Sequence, residues 1–142
     1  MLSRIDHIGI AVEDLDRAID VYERRLGLRV SRRERLDAEG IEVAMLPVGE
    51  SRIELLAPTS ADSTVRKFLD NRGEALHHVA YGTDDVSRAL ALAAVDGGQL
   101  IDEIPRAGAH GTRVGFLHPK SACGVLTEFV ESRSQDQSEA AS

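Results

Sequence analysis

Two histidines and two glutamates fall where chemistry could be done. His7 lies in "RIDHIGIAV" and His78 in "LHHVAYGT", while Glu54 lies in "RIELLA" and Glu128 in "LTEFVE". A single strand histidine is usually just a hydrogen-bonded polar residue. A glutamate inside an apolar strand is harder to explain, because burying an unpaired carboxylate costs several kcal/mol. Two imidazoles with two carboxylates suit one divalent transition metal, with positions left open for solvent or substrate oxygens. Cobalt, manganese, nickel and zinc all tolerate such donors.

The spacing of these four residues is not arbitrary. "IDHIGIAVEDLDRAI" and "LHHVAYGTDDVSRAL" align at an offset of 71, placing His7 on His78, Asp14 on Asp85 and Arg17 on Arg88. The same register carries Val43-Ala44-Met45-Leu46 onto Val114-Gly115-Phe116-Leu117. Glu54 meets Glu128 at an offset of 74, with the extra residues confined to the turn where "PVGES" becomes "HPKSACG". Loops tolerate insertions, so a length change there is what duplication predicts. His77 is out of register and is not the expected ligand.

Each half must then supply elements that position one histidine and one glutamate. Alternation predicts strands at "RIDHIGIAV", "LRVSRRERL", "GIEVAMLPV" and "SRIELLAP" in the first half. Asp14 is an N-cap and Gly27 a stop for the helix between the first two. "STVRKFLDNR" predicts a connector helix ending at Gly73. The second half repeats the plan: a histidine strand from about Leu76, a helix from Val86 to Gly97-Gly98, then strands "LIDEI", "TRVGFLH" and "VLTEFVE". The expected fold is α+β, two tandem β-α-β-β-β modules forming a curved mixed sheet around a metal site. We expect one domain over 1–131, with module one at about 3–58, a linker helix at about 62–73 and module two at about 75–131. The polar stretch 132–142 reads as a disordered tail.

Bulk properties narrow the partners. A net charge of −7 argues against a nucleic-acid or anionic membrane surface. One cysteine, Cys123, gives neither an internal disulfide nor a thiolate cluster. With no apolar run of membrane-spanning length and no signal-peptide region, the expected location is the cytoplasm. Exposed sheet edges and apolar strand faces predict a twofold homodimer.

The repeat resembles the vicinal-oxygen-chelate superfamily (glyoxalase, bleomycin resistance and dioxygenase proteins). Within it, "DHIGIAVEDLDRAI", "IELLAPTSADSTVRKFLDNRGEALHHVAYGTDDV" and "RVGFLHPKSACGVLTEFVE" resemble methylmalonyl-CoA epimerases, over nearly all of Leu2 to Glu131. The resemblance implies His7, Glu54, His78 and Glu128 as ligands of one divalent ion per chain, and an acyl-CoA substrate. Epimerising a 2-methylmalonyl thioester removes the α-proton and returns it on the other face, which needs a proton carrier on each side. Substrate carboxylate and thioester oxygens can both ligate the ion, offsetting charge as the proton leaves.

One departure from the family matters. Val43 stands where several of these epimerases carry a catalytic glutamate, and Glu54 stands where they carry a glutamine. The carriers expected here are therefore Glu54 and Glu128, with Glu42 third, since alternation turns Glu42 to the opposite face unless a bulge intervenes. The "AGAHGTRV" loop offers His110, Gly111 and Thr112 to an acyl oxygen, and Lys120 could meet CoA phosphates. A glyoxalase I-type lactoylglutathione lyase would use the same ligands. A drug-binding resistance protein usually needs aromatic walls, which a chain with 4% aromatics and no Trp lacks. An extradiol dioxygenase usually needs a longer chain.

Overall fold

The computed structural model describes residues 1–131, so the stretch 132–142 read as a tail lies outside the described residues. The chain divides into two compact units. The N-terminal unit spans His7–His77, and the C-terminal unit joins Met1–Asp6 to the residues from His78 onward. Strand β1 (Leu2–Ala11) contributes its first half to one unit and its second half to the other.

In the N-terminal unit β1 leads to helix α1 (Leu15–Leu26), then strands β2 (Arg32–Leu36), β3 (Ile41–Val48) and β4 (Ser51–Pro58), and helix α2 (Thr64–Arg72). The strands run in the hydrogen-bonded order β2-β3-β4-β1, antiparallel except for the parallel pair β1–β4. Asp14 caps α1, its carboxylate accepting from Arg17 N–H at 3.0 Å, and Gly27 closes it at φ 71°. A left-handed φ at that point is cheap only for glycine. Ser63 caps α2 in the same way as Asp14.

The C-terminal unit repeats this with β5 (Ala75–Thr83), α3 (Val86–Val95), β6 (Arg106–Ala107), β7 (Arg113–Leu117) and β8 (Thr127–Glu131). Their order is β5-β8-β7-β6, with β5 parallel to β8. Asp85 caps α3 as Asp14 caps α1, accepting from Arg88 N–H at 3.0 Å. The alternating pattern "LIDEI" is not a strand: only Leu100 bridges, to Leu117. The side chain of Asp102 accepts the Phe116 N–H at 2.9 Å, a donor the ladder would have used, and pairing passes to β6 beyond Pro105. "LRVSRRERL" is likewise shorter than expected, its first residues joining the α1–β2 connection.

Strand alternation divides each sheet into two faces with different tasks. In the N-terminal unit Ala44, Leu46, Leu55 and Ala57 pack with Leu15 and Ala18 of α1. In the C-terminal unit Leu117 and Phe129 pack with Val86 and Leu90 of α3. Each large apolar side chain fully buried there contributes about 1.5–3 kcal/mol. Gly115 lets α3 approach, since a Cβ there would sit 2.7 Å from Leu90 Cδ1. No helix of the described residues is long and apolar enough to cross a membrane.

The two equivalent caps give a test of the duplicated architecture. Asp14→Ala and Asp85→Ala should each lower stability by about 1 kcal/mol, the usual loss for an N-cap, when unfolding is followed in urea. Two losses that differ by more than about 1 kcal/mol would show that the caps are not equivalent.

Candidate functional site

The other face of each sheet carries the polar residues. In the N-terminal unit Glu54 lies opposite Met45 on β3 and beside Gly9 on β1, so it shares a face with His7, Val43 and Met45. In the C-terminal unit Glu128 lies opposite Phe116 and beside Ala80, sharing a face with His78. Gly9 over Ala80 and Met45 over Phe116 is the offset of 71 seen in the sequence. The duplicated register is therefore present in the hydrogen-bond ladders themselves.

Each unit brings one imidazole to one carboxylate. His7 Nε2 lies 3.8 Å from Glu54 Oε2, and His78 Nε2 lies 3.3 Å from Glu128 Oε2. All four residues are buried, at 4%, 6%, 2% and 6% exposed respectively. Two donors held about 2.0–2.2 Å from one ion are separated by roughly 3–3.6 Å. The pairs sit near that separation, and the His7 pair is too far apart for a hydrogen bond. His7, Glu54 and His78 are candidate metal ligands, each buried and each offering one N or O donor atom. The donor types fit a divalent transition ion.

Glu42 does not join this set. The β3–β4 register runs unbroken from Ile41 to Val48, so no bulge turns Glu42 inward. Its carboxylate instead accepts from Arg33 at 2.9 Å, on the face where Arg33 also pairs with Asp16 of α1. Those two carboxylates, Asp16 first, raise the Arg33 pKa. Val43, 1% exposed, lies on the Glu54 face instead.

The loop before β7 is tightly built. Gly108 N–H donates to Thr112 O at 2.9 Å, Thr112 Oγ1 donates to Ala109 O at 2.7 Å, and His110 and Gly111 both have positive φ. A Cβ on Gly108 would sit 2.6 Å from Val114 Cγ1. Val114 is on the face of Glu128, two residues from Phe116, so the loop holding His110, Gly111 and Thr112 packs on that face. Lys120 is elsewhere: it sits in the turn after β7 and lines a cavity of about 630 Å³ beside α3, with Arg88, Leu117 and Phe129. His118 caps that turn through Nδ1, which accepts from Lys120 N–H.

Sequence reasoning passed over one cluster on the Glu128 face. Asp102 accepts from Arg106 Nε at 3.1 Å, the Arg106 guanidinium lies 5.2 Å from the Phe116 ring centre, and Phe116 meets His78 edge-on at 5.8 Å. The sequence signal for it is the four-residue spacing of Asp102 and Arg106, and alternation assigns Asp102 to the strand "LIDEI".

Known proteins resemble this chain over most of its length. Human mitochondrial methylmalonyl-CoA epimerase is 35% identical over 131 residues, covering 92% of this chain and 74% of the human protein. An ethylmalonyl-CoA/methylmalonyl-CoA epimerase of Cereibacter sphaeroides is 34% identical over 133 residues, covering 92% of this chain and 99% of that protein. A methylmalonyl-CoA epimerase solved in complex with methylmalonyl-CoA and NH4+ matches with a TM-score of 0.91 at 42% identity, over 94% of this chain and 97% of that one. Residues 6–116 match a family description, and the chain belongs to the glyoxalase/bleomycin resistance protein/dioxygenase superfamily.

Proposed function

We propose that this protein is a metal-dependent epimerase that interconverts (2R)- and (2S)-methylmalonyl-CoA. The observation that carries the reading is the match over 94% of this chain, at 42% identity, to an epimerase solved with methylmalonyl-CoA. Two buried imidazole–carboxylate pairs at duplicated positions support it. His7, Glu54, His78 and Glu128 would together hold one divalent ion: cobalt, manganese, nickel or zinc. When bound, such an ion draws negative charge from the acyl oxygens and so acidifies the α-carbon.

The chain's own residues do the rest. One of Glu54 and Glu128 takes the C2 proton on a carboxylate oxygen, and the other returns a proton to the opposite face. Their burial keeps bulk water from the reacting carbon and strengthens each electrostatic contact. Backbone N–H groups of His110 and Gly111 orient the acyl oxygens, while that of Thr112 donates to Ala109 O and holds the loop.

In D2O the protein should wash deuterium into C2 of methylmalonyl-CoA. A chelator should abolish the exchange and added cobalt or manganese restore it. Exchange no faster than the uncatalysed rate would refute the epimerase reading. Glu54→Gln is nearly isosteric and keeps an oxygen donor, so it should retain the metal while slowing epimerisation by about 10²–10⁴-fold. One diastereomer should still exchange its α-proton. Glu42→Gln, which loses only the contact to Arg33, should keep the wild-type rate. The reverse pattern would place the proton on Glu42.

A further inference from the structure

The duplicated units fill the space between helix and sheet differently. In the N-terminal unit Tyr22 of α1 packs against the core that contains Leu46 and Leu55. The offset of 71 carries Tyr22 onto Ala93 of α3 and Leu46 onto Leu117, while Leu55 meets Phe129 at the offset of 74. A methyl group thus stands where the other unit has an aromatic side chain. The cavity of about 630 Å³ beside α3 opens at this position, lined by Ala93, Leu117 and Phe129.

This cavity is separate from the chemistry above. Leu117 and Phe129 pack with α3, and strand alternation puts Glu128 on the other face of β8. Its volume falls within the range of about 300–1,000 Å³ usual for small-molecule sites. Two apolar side chains of its wall, Leu2 and Leu92, remain 45% and 48% exposed. Covering such surface with an apolar body is favourable.

Arg88 and Lys120 bring positive charge to the same lining. Among the described residues neither side chain makes a hydrogen bond or an ion pair. Arg88 acts on Asp84 through charge alone, and the Asp84 carboxylate itself accepts from the N-terminal ammonium at 3.3 Å. The lining also holds two carboxylates. That of Asp85 is engaged in capping α3, where it accepts the Arg88 N–H. Asp96 follows the last residue of α3, about 12 Å along the helix axis from Arg88.

We propose that this cavity is a second ligand site, which takes a fatty carboxylate: an alkyl chain ending in one anionic head. The chain lies against Ala93, Leu117 and Phe129, and the head meets Arg88 and Lys120. The apolar part of the lining is aliphatic apart from Phe129, which suits an alkyl body. A guanidinium meets a carboxylate as a fork, and an ammonium adds a point charge beside it. The site does not depend on the epimerase reading, because it uses the helix side of the strands and its test reads binding.

The test measures decanoate and decanol binding by calorimetry in metal-loaded wild type, Ala93→Tyr and the double variant Arg88→Gln/Lys120→Gln. Wild type should bind one decanoate per chain, and saturating methylmalonyl-CoA should leave that binding unchanged. Ala93→Tyr supplies the side chain that the N-terminal unit carries, and should weaken both probes by at least about 10-fold. The double variant should weaken decanoate by about 10- to 100-fold and leave decanol within about threefold. A wild type that binds no decanoate at millimolar concentration, or loses it to methylmalonyl-CoA, overturns the site. Undiminished decanoate binding in a folded Ala93→Tyr overturns it as well. Should Ala93→Tyr fail to fold, the double variant decides: equal effects on decanoate and decanol, or none on decanoate, overturn the proposal.

Discussion

Burying a carboxylate beside an imidazole, twice, is the constraint on which the rest of this protein depends. An ionised glutamate removed from water is costly unless a counter-charge compensates it. Glu54 and Glu128 are both buried, and each lies within 4 Å of a buried histidine. A divalent cation shared by such groups would supply the missing charge, and the apolar face behind them makes the burial possible. In each unit one face of the strands is given to a helix and the other to the pair. Moving any of these strands by one residue would exchange the two faces.

Duplication explains the architecture of the two units. The caps Asp14 and Asp85, the opposed pairs Met45–Glu54 and Phe116–Glu128, and the valines Val43 and Val114 hold the same places in each copy. The copies diverge where Met45 becomes Phe116, whose ring meets both His78 and Arg106, and where Glu34 becomes Arg106.

Much of this was legible in the sequence because its signals are local. Strand alternation placed His7 with Glu54 and turned Glu42 away, and the ladders agree since β3 has no bulge. Asp14 and Gly27 bound α1 where their types predicted. The repeat offset aligned Val43–Leu46 with Val114–Leu117, and the ladders keep that register, with Glu54 opposite Met45 and Glu128 opposite Phe116. What was missed depends on contacts between residues distant in the chain. "LIDEI" alternates like a strand, but Asp102 uses its carboxylate to take the Phe116 N–H, and no local pattern announces that exchange of a side chain for a ladder bond. Lys120, read from its charge as suited to CoA phosphates, sits in the turn after β7 and lines the cavity beside α3.

Metal stoichiometry tests most directly the proposal that one ion serves both pairs. Chelator-stripped protein is titrated with cobalt and the bound metal counted in wild type, His7→Ala and His78→Ala. If both pairs hold a single ion, wild type binds one cobalt per chain with mixed nitrogen and oxygen ligation, and either variant weakens that one site by at least about tenfold. Two ions per wild-type chain, with each variant losing only one, would show two independent sites and contradict the account.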